Sequence, residues 1–376
     1  MNPSEIDLAC EKFRTLLEEQ IRRAQNIKSE AQDFSVQKVI TIGLVGGDGI
    51  GPIIMKQAER TLRVLLADEI ESGAIVLKNI EGLTIENRLA VGKSVPDEIM
   101  AEIKSCDVLL KGPTTTPGGG TMESANVTLR RELDLFANVR PVCVPEEGID
   151  WTFFRENTEG EYAVGSRGIE ISDTLAMDFK VTTNAGTERI ARQAYEFARA
   201  NGKTHVSIVT KANIMKKTDG KFSEICHRIA DEYPEITTEE YYIDIMTANL
   251  VNPAVRSKFQ VFVLPNLYGD IITDEAAQIQ GGVGTAGSAN TGGKYAMFEA
   301  IHGSAPRMIE SGFGAWANPC SILTAEILLL RHICRADAAN RLDTALSKAM
   351  QIYPIEKGGP ITAEIFTDHL LELLAE

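Results

Sequence analysis

The chain has 376 residues, of which 44% are hydrophobic and 24% charged, enough apolar material for two packed domains. Its net charge of -15 argues against nucleic acid or an anionic membrane as the main partner, and no apolar run approaches the length of a membrane span. Cys10, Cys106, Cys143, Cys226, Cys320 and Cys334 are scattered without CxxC spacing, which fits reduced thiols and a cytoplasmic protein better than disulfides or zinc.

Residues 1–36 read as a helical N-terminal extension. Phe13, Leu16, Leu17, Ile21, Ala24 and Ile27 recur at helical spacing, while Glu11, Glu18 and Glu19 count against an organelle transit peptide. From Lys38 onward apolar runs alternate with helical patterns. Strands are predicted over Val39–Val45, Ile75–Ile80, Val108–Lys111, Val206–Thr210 and Phe259–Leu264, with helices over 52–67, 96–104, 186–201, 317–334 and 362–375. This alternation predicts an α/β fold with much parallel sheet. The Pro/Gly-rich Gly112–Gly120 and the glycine-rich Gly281–Gly293 read as long functional loops, so that two domains share chain segments around a cleft.

The glycine-rich segments are not nucleotide fingerprints of the usual kinds. Gly46-Gly47-Asp48-Gly49-Ile50-Gly51-Pro52 follows a strand and opens a helix, but its glycines miss the GxGxxG spacing of a Rossmann fold. Gly92-Lys93-Ser94 and Gly293-Lys294-Tyr295 both lack the upstream glycine of a P-loop. The run Pro265-Asn266-Leu267-Tyr268-Gly269-Asp270-Ile271-Ile272-Thr273-Asp274 sets two carboxylates about one helical turn apart. Such a pair suits Mg²⁺ or Mn²⁺, or simply complements a helix N-terminus. Asn126 and Arg130 also lie a turn apart, beside a stripe of Leu129, Leu133 and Phe136; Arg140 follows at a predicted strand, and Arg155 lies in Trp151-Thr152-Phe153-Phe154-Arg155-Glu156-Asn157. Arginine supplies a planar fork for carboxylates, but taken singly each one reads first as a surface or salt-bridge residue.

GGDGIGP, KGPTTTPGGG, LRRELDLFANVRPV, FRENTEGEYAVG, TKANIMK, NLYGDIITDEAAQ, FEAIHGSAP and ANP occur in that order from about Val39 to the C-terminus. In these motifs the chain resembles the β-decarboxylating dehydrogenase family, which includes isocitrate, 3-isopropylmalate, homoisocitrate and tartrate dehydrogenases. The resemblance implies an isocitrate/isopropylmalate dehydrogenase-like fold, with 37–136 and 282–376 as a large cofactor-side domain and 137–281 as a small domain with dimer contacts. It implies that Arg130, Arg140 and Arg155 clamp the malate carboxylates, that Tyr162 protonates the enol carbon, and that Lys211 helps to deprotonate the substrate hydroxyl. Asp270 and Asp274 match the metal ligands for Mg²⁺ or Mn²⁺, and Asp244 matches a third. Lys211 and Asp244 are expected to act in the partner subunit's site, making a homodimer, or a higher oligomer built from it, a catalytic requirement.

By the same resemblance, Ser124 and Asn126 match the positions before Arg130 where the substrate's variable substituent is met. As polar donors they resemble the isocitrate enzymes, since facing an isopropyl group would leave each unpaired at a cost of about 1–3 kcal/mol. Ser124 could equally cap the helix. On the cofactor side the resemblance implicates Thr116, Glu299, His302, Gly303, Ser304, Ala305, Pro306, Arg307 and Asn318. Ala317 before Asn318 resembles the NAD form, and Arg307 is the one feature that would attract the 2′-phosphate of NADP. The expectation is an NAD-linked, metal-dependent isocitrate dehydrogenase acting on a small tricarboxylate. The alternatives are homoisocitrate or 3-isopropylmalate oxidation, NADP linkage, or a non-catalytic regulatory subunit of a hetero-oligomer.

Overall fold

In the computed structural model, which describes every residue except 1–2, 28–31, 119–121, 166, 172–173, 283 and 376, the apolar runs become strands. In chain order they are β1 (Ile40–Val45), β2 (Ile75–Ile80), β3 (Val108–Lys111), β4 (Ala137–Val144), β5 (Ile149–Glu156), β6 (Ile169–Ile171), β7 (Leu175–Met177), β8 (His205–Thr210), β9 (Thr237–Tyr242), β10 (Val261–Leu264), β11 (Gly287–Thr291) and β12 (Ala296–Ala300). Two compact units result, one from residues 1–30 and 136–279, the other from 31–135 and 280–376. Of the predicted loops, Gly119 and Gly120 lie outside the described residues, as does Val283.

The unit of 31–135 and 280–376 has strand order β2-β1-β3-β12-β11, with only β11 antiparallel to its neighbour. Every residue of β3 is buried, as expected for a parallel strand covered on both faces. Helix Gly51–Leu65 starts with a proline in its first turn and buries Ile54, Met55, Ala58, Leu62 and Leu65 along one face. Two expectations change here. The segment Gly281–Gly293 contains strand β11, whose Gly-Ser-Ala-Asn-Thr sequence carries no apolar alternation. A Cβ on Gly287 would lie 2.4 Å from the Ala325 amide, so glycine permits β11 to touch helix Cys320–His332. That helix starts at Cys320 and not at 317, because Ala317 closes a short 3₁₀ turn and Asn318 Oδ1 accepts the Cys320 N–H at 2.9 Å.

The unit of 1–30 and 136–279 has order β4-β5-β10-β8-β9, parallel except for the β4–β5 pair, plus a small antiparallel hairpin of β6 and β7. Its cores lie on either side of β5 and β10, around Ile190, Tyr195 and Phe222 on one face and Trp151, Phe153 and Phe262 on the other. The chain is thus mixed α/β without the Rossmann strand order. Helix Pro3–Gln25 belongs to this unit. Of its expected apolar stripe, Leu16 is buried and the Phe13 ring lies tilted with its centre 5.2 Å from that of Phe179, while Phe13, Leu17 and Ile21 stay exposed. Phe136 also falls in this unit, under the Arg189 guanidinium, whereas Leu129 and Leu133 pack in the core of the other. The predicted three-residue stripe therefore splits, because helix Ala125–Glu132 ends before Leu133. Among the described residues, no helix is long and apolar enough to cross a membrane.

Candidate active site

Register and helical periodicity assemble one cluster within the unit of 136–279. The antiparallel β4–β5 ladder pairs Arg140 with Phe153 and Asn138 with Arg155, which sets the two arginines two rungs apart on one face, and β10 feeds helix Asn266–Ile279. That helix buries Gly269, Ile272, Thr273, Ala276 and Ala277, which leaves Asp270 and Asp274 a turn apart on its next stripe. Arg155 is fully buried, donating from Nε at 3.0 Å and Nη2 at 2.6 Å to Asn266 Oδ1 and from Nη1 to Asp270. A Cβ on Gly269 would sit 2.5 Å from Arg155 Cγ, so the glycine leaves room for the arginine. Arg140 Nη1 donates to Thr273 Oγ1 at 2.6 Å and to Asp274 at 3.0 Å, and its Nη2 lies 3.8 Å from Asp270. Tyr162 donates its hydroxyl to Asp270 Oδ2 at 2.7 Å, with the Arg155 guanidinium 5.3 Å from its ring centre.

Lys211 and Asp244 form a separate pair. Lys211 directly follows β8, Asp244 lies in the first turn of helix Ile243–Leu250, and their side chains hydrogen-bond, which holds the Asp244 carboxyl below the usual range. Among the described residues of a single chain, no three acidic, histidine or cysteine side chains gather as a metal site, so Asp244 does not join Asp270 and Asp274 within one copy. The Lys211 backbone N–H is anchored at 2.8 Å by buried Asp219, which also pairs with Lys180 at 2.6 Å.

Ser124, Asn126 and Arg130 lie in the other unit. Ser124 occupies the N-cap of helix Ala125–Glu132, but its side chain makes no capping bond. Asn126 Oδ1 accepts from Thr114 at 3.2 Å. Arg130 Nη2 meets Glu299 Oε1 at 3.2 Å, and Glu299 also binds buried Lys111 at 3.2 Å and Asn290 at 2.9 Å. Burial alone would raise the Glu299 carboxyl, but Lys111, then Arg130 and Asn290, pull it down to about 2. Burial pushes the Lys111 ammonium the other way, below its ordinary value, against the pull of Glu299. Glu299, expected on the cofactor side, thus has both oxygens engaged in holding Lys111 and Arg130.

The remaining cofactor-side residues sit on three loops sewn together within the same unit. Asp48 Oδ1 and Oδ2 accept the Ile85 and Thr115 amides at 2.7 Å each, and Thr115 Oγ1 meets Ser304 Oγ at 2.7 Å. Gly49 has φ +57°, and a Cβ there would stand 2.0 Å from the Ser304 carbonyl oxygen. Ala305 takes a left-handed φ of 46° before Pro306, turning the chain into helix Pro306–Glu310. Thr116 and Gly303 are exposed. His302 Nε2 is buried with no hydrogen-bond partner among the described residues. The Arg307 side chain is exposed, with no hydrogen bond or ion pair to a described residue.

The supporting residues Asn266, Thr273, Lys111, Asn290, Asp48, Lys180 and Asp219 had no role assigned from sequence. Asn266, Thr273, Lys111 and Asp48 did fall inside the quoted motifs, which was the available signal.

The pattern of the family described as isocitrate/isopropylmalate dehydrogenase matches residues 41–366. The chain belongs to that family. An NADP isocitrate dehydrogenase from Rickettsia felis is 40% identical over 87% of this chain, although the chain spans only 65% of that relative's length. Subunit 2 of the mitochondrial NAD isocitrate dehydrogenase of Schizosaccharomyces pombe is 35% identical, covering 89% of this chain and 87% of its own. The isocitrate dehydrogenase structure from Methylococcus capsulatus aligns with a TM-score of 0.79 at 33% identity, over 90% of this chain and all of that one.

Proposed function

We propose that this family member oxidises isocitrate to 2-oxoglutarate and CO₂ with NAD and a divalent cation, as a homodimer whose copies exchange active-site residues. The observation that carries this reading is the convergence of Arg140, Arg155 and Tyr162 on the Asp270–Asp274 turn. Two carboxylates with 40% and 64% of their side-chain surface open are a hard-oxygen set that suits Mg²⁺ or Mn²⁺. Asp270 and Asp274 would hold the ion together with Asp244 of the second copy. When bound, it stabilises negative charge on the substrate's hydroxyl and carboxylate oxygens.

Every other step belongs to side chains. Arg130, Arg140 and Arg155 receive the carboxylates common to the family's substrates, and the uncapped Ser124 hydroxyl with the Asn126 amide meets the third. Lys211 of the second copy takes the hydroxyl proton as hydride leaves the carbon. After CO₂ departs, the Tyr162 hydroxyl delivers a proton to carbon, and buried Arg155 against its ring fixes its direction. The loops around Asp48, Thr115 and Ser304 suit a dinucleotide, because glycine lets backbone approach backbone and the partnerless His302 Nε2 supplies a polar contact. Purified protein with Mn²⁺ should reduce NAD with isocitrate at higher kcat/KM than with homoisocitrate or isopropylmalate. Preference for isopropylmalate would remove the role given to Ser124 and Asn126.

NAD is favoured because residues 303–318 contain one cation, Arg307, with Glu310 a turn away. The second reading, NADP, is supported by the unengaged Arg307 guanidinium. Arg307→Asp is expected to lower the NADP-to-NAD ratio of kcat/KM by about tenfold, as loss of one charge-assisted phosphate contact would. An unchanged ratio would show that Arg307 does not face the ribose.

A further inference from the structure

The N-terminal helix lies before the stretch that matches the family, yet one of its side chains reaches the scaffold of the arginine–aspartate cluster. Arg23, its Nε oriented by Gln20 at 2.9 Å, donates from Nη2 to Glu159 Oε1 at 3.0 Å. Glu159 is 2% exposed, and its carboxylate also accepts the Thr183 hydroxyl at 2.5 Å and the Thr183 amide at 2.8 Å. A Cβ on Gly186 would lie 2.4 Å from that carboxylate, so the pocket is shaped around it. The backbone of the same residue continues inward. Asn266 Nδ2 donates to the Glu159 carbonyl at 3.1 Å, and Asn266 Oδ1 is the acceptor that holds Arg155 Nε and Nη2. Arg155 and Tyr162 then meet on Asp270.

The electrostatics favour a cation at this place. Glu156, also buried, accepts the Glu159 amide at 2.6 Å, so two carboxylates are held side by side away from water. Burial first, and Glu159 second, push the Glu156 carboxyl up to about 7. Arg23 is the cation paired with Glu159. Without it the Glu159 carboxylate would keep, among the described residues, the neutral Thr183 amide and hydroxyl, with Arg189 reaching the turn at Thr158 Oγ1 at 3.1 Å and not at Glu159 itself, and the turn would relieve the cost by shifting.

We propose that Arg23 is a positioning residue: by pinning Glu159 it fixes Asn266, and through Asn266 it sets the Arg155 guanidinium against Asp270 and Tyr162. The geometry stands without any named substrate, and only its catalytic consequence rests on the function proposed above. The test uses the full chain and reads hydrogen exchange of the Arg155 Nε–H by NMR in wild type, Arg23→Ala and Arg23→Lys. Arg23→Ala should speed that exchange about tenfold, the equivalent of roughly 1.4 kcal/mol, with recovery in Arg23→Lys and little change in the amides of residues 190–198. In parallel, the KM for isocitrate should rise more than kcat falls. Unchanged Arg155 exchange in Arg23→Ala overturns the proposal. So does a rise at Arg155 no larger than that across 190–198, because Arg23 would then only add stability. A wild type that does not oxidise isocitrate refutes the function instead, and the exchange measurement still decides the role of Arg23.

Discussion

Lys211→Met and Tyr162→Phe should each lower isocitrate turnover by roughly 10²–10⁴-fold, yet an equimolar mixture that exchanges subunits should recover roughly a quarter of wild-type activity. The two residues occupy different places in one chain: Tyr162 bonds to Asp270, while Lys211 bonds to Asp244. If the working site takes Tyr162 from one copy and Lys211 from the other, a mixed dimer contains one intact site and one site with both defects. Statistical exchange makes half the dimers mixed, which gives the expected fraction. The surface around Lys211 supports a partner there, since Ile214, Met215 and Ile245 are exposed at 67%, 37% and 52%. Folding should survive Lys211→Met, because the Asp244 side chain is 60% exposed and solvent screens such a surface pair. Steady-state assays after mixing, with exchange verified by mass-tagged copies, would settle the matter. Full exchange without recovered activity would place Lys211 and Tyr162 in the same copy's site or remove one of them from catalysis.

What the sequence made legible follows from where each signal lives. β1, β3 and β10 announced themselves because strands buried on both faces are short apolar runs. β5 hid for the related reason that it ends in Phe154-Arg155-Glu156, where buried charge breaks the apolar run even though every residue but Asp150 is buried. β9, with its Thr-Thr-Glu-Glu-Tyr-Tyr sequence at the sheet edge, needs only one hydrogen-bonded neighbour and shows no apolar face at all. In the candidate site, Asp270 and Asp274 were visible because helical spacing is written in sequence. The contacts that orient them were not. Asn266 reaches Arg155 across 111 positions, and Glu299 reaches Lys111 across 188, and no local pattern encodes either. Charge alone signalled the need for such partners in an acidic chain, but not their identity.

Glu299→Gln is expected to destabilise the chain by about 3–5 kcal/mol at pH 7, because it strips the counter-charge from a buried ammonium. Lys111 has a fully buried side chain, and it meets Glu299 at 3.2 Å while Arg130 meets the other oxygen at 3.2 Å. A glutamine keeps one acceptor and turns an amide N–H₂ toward one of the two cations, so at least one bond is replaced by repulsion. The pH dependence follows from the direction of the shift. Glu299 titrates at about 2 in the fold against 4.5 unperturbed, so its contribution is present above pH 4.5 and is lost as pH falls toward 2. The gap between wild type and variant in urea unfolding should therefore be widest near neutral pH and should close on acidification across that interval. On the function proposed above, activity should fall as well, since Arg130 loses the carboxylate that holds its guanidinium. A gap below about 1 kcal/mol at pH 7, the level of a surface pair, or one that does not narrow in acid, would mean that Lys111 sheds its proton and Glu299 is not what keeps it charged.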